Sequence, residues 1–384
     1  MNKIVIVGAG YAGMMAAVGL AGRTKGRDDV RITVVNATDR FTERLRLHQV
    51  ASGEEVADLR IPELLAGTGV EFVAGWVTGV DAAARTVRVD DERVLEYDRL
   101  VYALGAVADT AAVPGVEDHA HTLNSAHDAE VLARRLAGLK GTVVVCGSGL
   151  TGVEAAAEIA GQHPHLDVVL AGRQEPGADL GPRAKAYLRA ALDRLGVAVR
   201  AGVEVVKVLP DSVEVAGGEG IAADAVLWTS GVRVSPLAAV AGFEVDDRGR
   251  VVTDPALRSV SHPEVYAIGD AAAVRQGFGP LHGTCQSGMP TGGHVAASLA
   301  REVRGARPKP FRFGYYHTPI SLGRDDAVVQ FTKPDGSPRP FFLSGRRAVW
   351  YKEAVTSAPW PTFGRIVRLP ALGSVWPRGG RHTR

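Results

Sequence analysis

Cysteine is scarce in this sequence, and long apolar runs are missing. Only Cys146 and Cys285 occur among 384 residues, which excludes a disulfide framework and a cysteine-based metal centre and favours a reducing, cytoplasmic setting. No stretch approaches the roughly 20 apolar residues that a membrane-spanning helix needs. A strand-like pattern starts within the first three residues, so we expect no signal peptide ahead of it.

A strong charge of either sign is also missing. The chain has 44 basic and 42 acidic residues, and the basic ones are spread along it, so no nucleic-acid partner is expected. The 11 histidines show no metal-ligand spacing, and we expect no metal. With 46% hydrophobic residues, the chain is long enough for two or three domains with cores of their own.

One short pattern occurs twice. Residues 3–17 and 142–156 each read as an apolar β-branched run, a Gly-x-Gly-x-x-Gly turn and small helix-forming residues. The turn glycines are Gly8, Gly10 and Gly13 in the first copy, and Gly147, Gly149 and Gly152 in the second. In such a turn the first glycine allows the bend, the second lets a diphosphate approach, and the third lets the helix pack on the strand. Turns without a ligand are the alternative, since 46 glycines produce chance matches, but the strand-to-helix context favours two dinucleotide sites.

The repeat extends beyond the glycine turns and suggests the domain organisation. Leu100–Gly105 and Ala225–Gly231 are each a strand that enters a glycine at equivalent places in the two halves. We predict an α/β fold with two Rossmann-like dinucleotide-binding domains and a small C-terminal cap. The first domain comprises residues 1–120 and 241–315, the second residues 121–240, and the cap and tail residues 316–384.

A third motif points to a flavin. Residues 265–273 read Val-Tyr-Ala-Ile-Gly-Asp-Ala-Ala-Ala. This stretch resembles the late motif of two-dinucleotide-domain flavoprotein reductases, in which the aspartate, here Asp270, meets the ribityl and diphosphate part of FAD. A strand that ends in a Gly-Asp turn is the alternative for this motif taken alone.

Two further segments narrow the resemblance. In one branch of that superfamily, a loop lies beside the flavin and a strand lies near the quinone end. Residues 41–53 are similar to this loop, and residues 321–329 are similar to this strand. To about residue 350, the chain resembles the type II NADH dehydrogenase-like branch of the FAD/NAD(P)-dependent pyridine nucleotide oxidoreductases. The resemblance implies a glutathione-reductase-like arrangement of the two domains, bound FAD, NADH or NADPH as co-substrate and a quinone-type electron acceptor. A homodimer is left open.

The resemblance also implies which residues bind the cofactors. The candidates are Gly8, Gly10, Tyr11, Ala12, Gly13, Asn36, Arg44, Val77, Gly105, Gly147, Gly149, Leu150, Thr151, Gly152, Arg173, Gly231, Gly269, Asp270 and Gly288.

Two of these candidates depart from the family pattern. Asn36 stands where an acidic residue usually binds the adenosine ribose of FAD, and an amide can still hydrogen-bond to a ribose hydroxyl. Arg173 follows the corresponding strand of the second half, where an NADH-selective site carries Asp or Glu. An arginine can pair with a 2′-phosphate, which favours NADPH. The alternative is that Arg173 is a solvated loop charge.

Two residues are candidates for catalysis. Glu154 resembles the family glutamate near the nicotinamide and flavin, where it would orient the carboxamide or relay a proton; a helix-face carboxylate in solvent is the alternative. Gln286 resembles the first glutamine of the quinone motif Ala-Gln-x-Ala-x-Gln, whose second glutamine is here Pro290. A helix that starts near Pro290 and Thr291, together with the free N–H of Gly288, is expected to stabilise the negative charge of the flavin.

The acceptor is the least constrained part of the prediction. A quinone oxidoreductase is the first interpretation, a tailoring reductase or dehydrogenase for an aromatic or quinone-like metabolite is the second, and a flavin-based redox-sensing binding protein is the third. No Cys-x-x-Cys spacing supports thiol chemistry. The arginine-rich tail could make a weak peripheral contact with the inner face of the membrane, or it could be disordered or packed on the protein.

Overall fold

Strands and helices alternate through the first part of the chain. The computed structural model describes residues 1–383, apart from the side chain of His382, and Arg384 at the end of the predicted tail lies outside the described residues. The elements of residues 1–120 are β1 (Asn2–Val7), α1 (Tyr11–Thr24), β2 (Val30–Asn36), α2 (Leu47–Ala51), α3 (Ile61–Leu65), β3 (Val70–Ala74), β4 (Val77–Asp81), β5 (Thr86–Val89), β6 (Arg93–Glu96), β7 (Arg99–Tyr102), β8 (Ala106–Ala108) and α4 (Val116–His119).

The same alternation occurs again in the next 120 residues. The elements there are α5 (Ala126–Ala137), β9 (Gly141–Cys146), α6 (Leu150–Gln162), β10 (Leu166–Gly172), α7 (Pro182–Arg194), β11 (Ala198–Ala201), β12 (Val205–Val208), β13 (Ser212–Val215), β14 (Gly220–Ala222), β15 (Ala225–Trp228), β16 (Val232–Val234) and α8 (Leu237–Val240). The Ser125 side chain caps α5 in a reciprocal capping box with Asp128, which fixes where this helix begins.

Longer helices and a further sheet follow. The remaining elements are β17 (Val251–Val252), β18 (Val265–Ala267), β19 (Ala272–Ala273), β20 (Arg275–Gln276), β21 (Gly279–Pro280), α9 (Cys285–Glu302), β22 (His317–Ser321), β23 (Ala327–Thr332), β24 (Pro338–Ser344), α10 (Gly345–Ser357) and α11 (Pro359–Arg368). The prediction of a helix that starts near Pro290 and Thr291 is wrong in its start, because α9 begins at Cys285. The Thr284 side chain accepts a hydrogen bond from the Ser287 N–H and caps α9 there, so Pro290 lies inside the helix.

Two parallel sheets form the centre of the molecule. The first has the strand order β18-β7-β1-β2-β3 and the second the order β11-β10-β9-β15. Residues 4–7 of β1 and 143–146 of β9 are fully buried, which explains why both read as continuous apolar runs. Since β18 joins the first sheet, the chain returns to that sheet after completing the second. The limits at residues 120, 240 and 315 stay predictions.

Helices α1 and α9 pack closely against each other. A Cβ at Gly292 would overlap the Ala12 carbonyl oxygen, and a Cβ at Gly19 would lie 3.0 Å from the Ala296 Cβ. Close approach of the two helices therefore depends on small residues at their contact. The two helices share the first core with the buried strands of the first sheet.

Residues after 316 contribute side chains to both cores. The antiparallel sheet β22-β23-β24 packs on α6 and α7, with Ile320 and Val328 in the second core. Helix α11 packs on α1, and its Phe363 and Ile366 are fully buried in the first core. Of the alternatives for the tail, packing on the protein is the one observed, and it continues to Trp376, whose Nε1 donates to the Arg312 carbonyl oxygen at 2.8 Å.

Candidate functional site

The two glycine turns have the same geometry. Gly8 and Gly147 follow β1 and β9 with φ of 95° and 119°, a region that side chains disfavour. Their N–H groups donate to the Val35 and Ala171 carbonyl oxygens at 2.8 and 2.7 Å. Each turn therefore starts from the same register against the neighbouring strand and leads directly into a helix, α1 or α6.

The remaining glycines of the turns separate into two kinds. A Cβ at Gly13 or Gly152 would overlap the carbonyl oxygen of the first glycine of its own turn, so these two positions serve helix packing. A Cβ at Gly10 or Gly149 would meet nothing within 4 Å. Each turn thus keeps open space at its second glycine, where the helix N-terminus begins and a diphosphate would be favoured.

The residues that follow the second glycines differ in exposure. Tyr11 and Ala12 are buried at the start of α1, where Tyr11 makes an edge-to-face contact with Phe41 at 5.1 Å. Leu150 and Thr151 are exposed at the start of α6. The second turn is therefore more open to solvent than the first.

The ends of the second strands also differ. The Asn36 Oδ1 accepts a hydrogen bond from the Ala9 N–H at 2.9 Å, which ties the end of β2 to the first glycine turn. In the second sheet β10 ends at Gly172, which has no side chain for such a bond. The Arg173 side chain is 73% exposed, and its Nη1 lies 3.7 Å from the Glu204 carboxylate.

A small cavity lies beside α9. Its lining includes Gly269, Asp270, Gly288 and Arg250. Burial raises the pKa of the Asp270 carboxyl, although the Arg44 and Arg250 guanidinium groups act against this. The cavity therefore holds a buried carboxyl with two cationic neighbours, a polar wall suited to ribose and ribityl hydroxyl groups.

Some predicted cofactor contacts lie outside this cavity. Val77 begins β4, and Gly105 and Gly231 follow β7 and β15 with φ of 66° and 77°, but none of the three is among the cavity-lining residues. The Gly288 N–H, expected to be free, donates instead to the Thr284 carbonyl oxygen at 2.8 Å. This is a consequence of the early start of α9, because residue 288 already belongs to the helix.

Glu154 lies in a buried ion pair and not in solvent. Its Oε1 accepts from the Lys352 Nζ at 2.6 Å and from the Ser321 N–H at 2.9 Å. Burial acts to raise the pKa of the Glu154 carboxyl, but the Lys352 ammonium and the Ser321 N–H outweigh it and hold that pKa below its ordinary value. The carboxylate is therefore ionised, fixed in place by α10 and β22.

Gln286 bonds to the other end of the same strand. Its Nε2 donates to the His317 carbonyl oxygen at 2.9 Å, and its Oε1 accepts from the Tyr316 N–H at 3.2 Å. The His317 Nδ1 lies 2.8 Å from the Tyr351 hydroxyl oxygen. Strand β22 thus connects the two catalytic candidates: Gln286 contacts its start and Glu154 its end.

Cys285, the neighbour of Gln286, lies near charged groups of both the Glu154 ion pair and the cavity. Burial raises the pKa of the Cys285 thiol to about 11; the Lys352 ammonium lowers it, and the Asp270 and Glu154 carboxyls raise it. Cys285 begins α9 next to Gln286, so one region brings together the second glycine helix, the aspartate motif and the start of α9. Burial in β9 also raises the pKa of the other thiol, Cys146, to about 12.

Sequence reasoning missed the residues that complete this region. Lys352 gave no signal, because a lysine on a C-terminal helix is usually exposed. Glu158 had a signal that could have been used: it follows Glu154 by four residues, which places both carboxylates on one face of α6. Among residues 1–383, no group of histidine, cysteine and acidic residues has the arrangement of a metal site.

Paired parallel sheets, each with a glycine turn, and an aspartate-lined cavity define a class, the two-dinucleotide-domain oxidoreductases. A family model for pyridine nucleotide-disulphide oxidoreductases matches residues 2–296, and the chain belongs to that family.

Individual relatives indicate the branch of the family to which the chain belongs. The chain is 32% identical to an NADH dehydrogenase-like protein of Mycobacterium tuberculosis over 93% of this chain and 94% of that protein. It is 28% identical to a type II NADH:quinone oxidoreductase of Staphylococcus epidermidis over 98% of both chains. The structure of a sulfide:quinone oxidoreductase from Aquifex aeolicus, 19% identical, matches 96% of this chain and 92% of its own with a TM-score of 0.77.

These comparisons confirm several predictions. The chain lies in the type II NADH dehydrogenase-like branch, it has the predicted α/β fold, and it is an oxidoreductase with FAD and a pyridine nucleotide as its cofactors. Within residues 1–383, none of the helices has the length and apolar character needed to cross a membrane. The assignment of individual site residues stays a prediction.

Proposed function

We propose that this protein takes a hydride from NADH or NADPH and delivers the electrons to a quinone. The observation that carries the proposal is the buried Glu154–Lys352 ion pair, because it joins the helix of the second glycine turn to the region around Cys285 and Gln286. The relatives named for NADH:quinone oxidation support the same reaction.

The residues present fit a bound FAD. The space at Gly10 suits the diphosphate at the start of α1, and the buried Asp270 carboxyl faces a cavity that suits ribityl hydroxyl groups. The Asn36 Oδ1 already accepts from the Ala9 N–H, so its Nδ2, which donates to the Thr38 carbonyl oxygen, is the group that would turn to a ribose. When bound, FAD supplies the redox chemistry, with N5 as the hydride acceptor.

The second glycine turn would hold the pyridine nucleotide. Open space at Gly149 and the exposed start of α6 leave the nucleotide side accessible, and α6 leads one turn later to Glu154. An ionised Glu154 would orient the carboxamide by accepting from its N–H group, since Lys352 and Ser321 occupy only Oε1. Lys352 would keep that carboxylate charged while the site is closed to water.

Gln286 would position the quinone. Its amide already bridges the backbone at Tyr316 and His317, so the side chain is fixed at the start of β22. The Tyr316 ring, which is 38% exposed and packs against the buried His317 ring with the ring centroids 4.1 Å apart, would contact a quinone ring. Pro290 removes one helical N–H, which frees the carbonyl oxygen of Gln286 from its bond within α9.

The first experiment is an absorption spectrum of the purified protein, followed by anaerobic titration with NADH and NADPH. A flavin spectrum that bleaches with nucleotide and recovers with menadione supports the proposal. Bleaching without recovery by menadione or a ubiquinone analogue points to another acceptor, and a colourless protein that refuses added FAD overturns the proposal.

A variant tests the role of Gln286. We expect Gln286→Ala to slow recovery by menadione and to leave bleaching by nucleotide within about twofold of wild type, because its contacts are all to the quinone side. Equal rates of both half-reactions in the variant would remove Gln286 from the site.

The choice of nucleotide rests on opposing observations. Relatives named for NADH favour NADH, whereas Arg173 favours NADPH, although Glu204 lies 3.7 Å away and competes for its charge. The rates of hydride transfer from both nucleotides in wild type, Arg173→Ala and Glu204→Gln decide between them. If Arg173 binds a 2′-phosphate, Arg173→Ala loses activity with NADPH, whereas Glu204→Gln gains activity with NADPH.

A weak membrane contact through the tail is a further proposal. Leu369, Leu372 and Val375 are exposed beyond α11, near Arg365 and Arg368. Co-sedimentation with anionic liposomes would fall when the three apolar residues are replaced by serine. Equal sedimentation of both proteins would reject the contact.

A homodimer also stays a prediction, and sedimentation equilibrium tests it.

A further inference from the structure

A second cavity, between α9 and the C-terminal tail, has no role in the proposed function. This tail cavity has a volume of about 500 Å³ and shares no lining residue with the cavity at Asp270. Its wall on α9 includes His294, which follows Cys285 by nine residues and therefore lies about 13 Å farther along the helix. The tail cavity is thus separate from the residues assigned to FAD, nucleotide and quinone.

The side chains that line the tail cavity carry charge of one sign. None of them is acidic, and four are cationic: Arg301, Lys309, Arg312 and Arg378. Among residues 1–383, none of these four forms an ion pair with a carboxylate. Two acidic residues of neighbouring segments, Glu302 and Asp254, pair instead with Arg99 at 2.9 Å and Arg258 at 2.8 Å. The positive charge of the cavity is therefore not neutralised by the described part of the chain.

Two distant segments supply this charge. Residues 301–312 contain five basic residues and one acidic residue, and residues 369–384 contain three arginines and no acidic residue. The whole chain is nearly balanced, with 44 basic and 42 acidic residues, so the excess is local. Cations that share one cavity repel each other, and a bound anion removes this repulsion.

Close packing fixes the tail as a wall of the cavity. A Cβ at Gly293 of α9 would lie 2.1 Å from the Gly373 carbonyl oxygen, so the tail backbone lies directly on the helix. The Trp376 Nε1 donates to the Arg312 carbonyl oxygen at 2.8 Å and joins the tail to the segment that follows α9. The cavity is therefore formed by protein contacts that need no ligand.

Two of the guanidinium groups are also held in position. The Arg301 Nε donates to the Arg307 carbonyl oxygen at 2.9 Å, and in the described part of the chain its Nη groups have no hydrogen-bond partner. The Arg378 guanidinium carbon lies 5.4 Å from the centroid of the Trp376 ring, a cation–π contact. Positioned guanidinium groups lose less freedom when they bind an anion than freely moving ones.

The inner wall of the cavity is polar and uncharged. His294 and Ser298 are both buried on α9, and the His294 Nε2 lies 3.4 Å from the Ser298 hydroxyl oxygen. Burial lowers the pKa of His294 to about 4, and Arg378 acts in the same direction, so the ring is neutral near pH 7. The cavity therefore combines cationic side chains with a neutral inner wall that can form hydrogen bonds.

We propose that the tail cavity binds a soluble small molecule with two phosphate groups. Guanidinium groups pair with phosphate oxygens in bidentate geometry, and a volume of about 500 Å³ is in the range of small-molecule sites. Two phosphate groups carry about three to four negative charges near pH 7, which matches the four cations of the lining. This site goes beyond the proposed function and does not depend on it.

Calorimetric titration of the FAD-loaded protein with pyrophosphate tests the site. Saturating NAD⁺ is present throughout, because both glycine turns also favour a diphosphate and have to be filled first. We expect one pyrophosphate per chain, with a Kd that rises about tenfold or more in Arg301→Gln and in Arg378→Gln. Unchanged flavin content and thermal unfolding of these variants would show that they fold.

A matched variant separates the cavity from the overall charge of the protein. Arg93 on β6 is exposed and lies outside the lining of the cavity, and Arg93→Gln removes the same charge. Its Kd for pyrophosphate should stay within about twofold of wild type. Absence of pyrophosphate binding to wild type, or equal weakening in Arg93→Gln and Arg301→Gln, would overturn the proposal.

Vesicles distinguish a soluble ligand from a lipid headgroup. Flotation with phosphatidylcholine vesicles, with and without phosphatidic acid, measures whether the cavity recognises phosphate at a membrane surface. We expect that Arg301→Gln leaves the floated fraction unchanged. A floated fraction that depends on phosphatidic acid and on Arg301, in a protein that does not bind pyrophosphate, would overturn the soluble ligand in favour of a lipid.

Discussion

Replacing Lys352 by methionine tests the buried ion pair most directly. Methionine keeps much of the side-chain volume and removes the ammonium, which leaves the Glu154 carboxylate with the Ser321 N–H as its only remaining hydrogen-bond donor among the described residues. Breaking a buried pair on one side typically costs about 3–5 kcal/mol, because an uncompensated charge stays behind. The side chains are only 8% and 11% exposed, so solvent screening reduces this little.

The loss should depend on pH with a definite sign. In wild type the pKa of Glu154 is lowered, so its contribution is present above the unfolded pKa of about 4.5 and is lost as the pH falls below it. Without Lys352, burial is the largest remaining influence and raises that pKa. The variant should therefore lose about 3–5 kcal/mol near pH 8 and less as the pH falls below 4.5, where the carboxyl of the variant is protonated in the folded and the unfolded state.

Urea unfolding of wild type and variants at both pH values measures this difference. Adding Glu154→Gln to Lys352→Met should recover much of the loss at pH 8, because no buried charge remains. Lys3→Met is the matched control: Lys3 pairs with Glu96 at the surface, and we expect no measurable change. A loss in Lys352→Met that is the same at pH 4 and pH 8 would refute the reasoning.

Three further predictions concern stability and nucleotide binding. Burial raises the pKa of Glu158 to about 7 in the folded state, so its contribution to the free energy of unfolding is fully present below pH 4.5 and is lost as the pH rises to 7. Urea unfolding should therefore show that the free energy of unfolding of Glu158→Gln, relative to wild type, increases by about 3 kcal/mol between pH 4.5 and pH 7. Phe363→Ala should lower the free energy of unfolding by about 3–5 kcal/mol, because Phe363 is 0% exposed. Trp350→Ala should lower it little, because Trp350 is 73% exposed, and thermal unfolding distinguishes the two variants. Gly152→Ala should destabilise the fold, whereas Gly149→Ala should fold normally and raise the KM for nucleotide, measured in steady state.

The repeated strand, turn and helix could be predicted because each is a local pattern. Residues 3–17 and 142–156 contain the apolar strand, the glycines that the bend and close packing require, and the helix formers that follow. The start of α9 could not be predicted from its proline. The Thr284 side chain caps the helix six residues before Pro290, and tertiary packing against α1 compensates for the missing N–H.

The sequence by itself determined the two glycine turns, the returning aspartate motif and hence the family, since the chemistry of a diphosphate near a strand end demands residues at fixed local spacing. Only the tertiary structure decided that Glu154 is paired, that Lys352 is its partner 198 residues later, and that Glu158 is fully buried. The charge state of a buried carboxyl depends on which distant side chains pack beside it, and no local pattern carries that information.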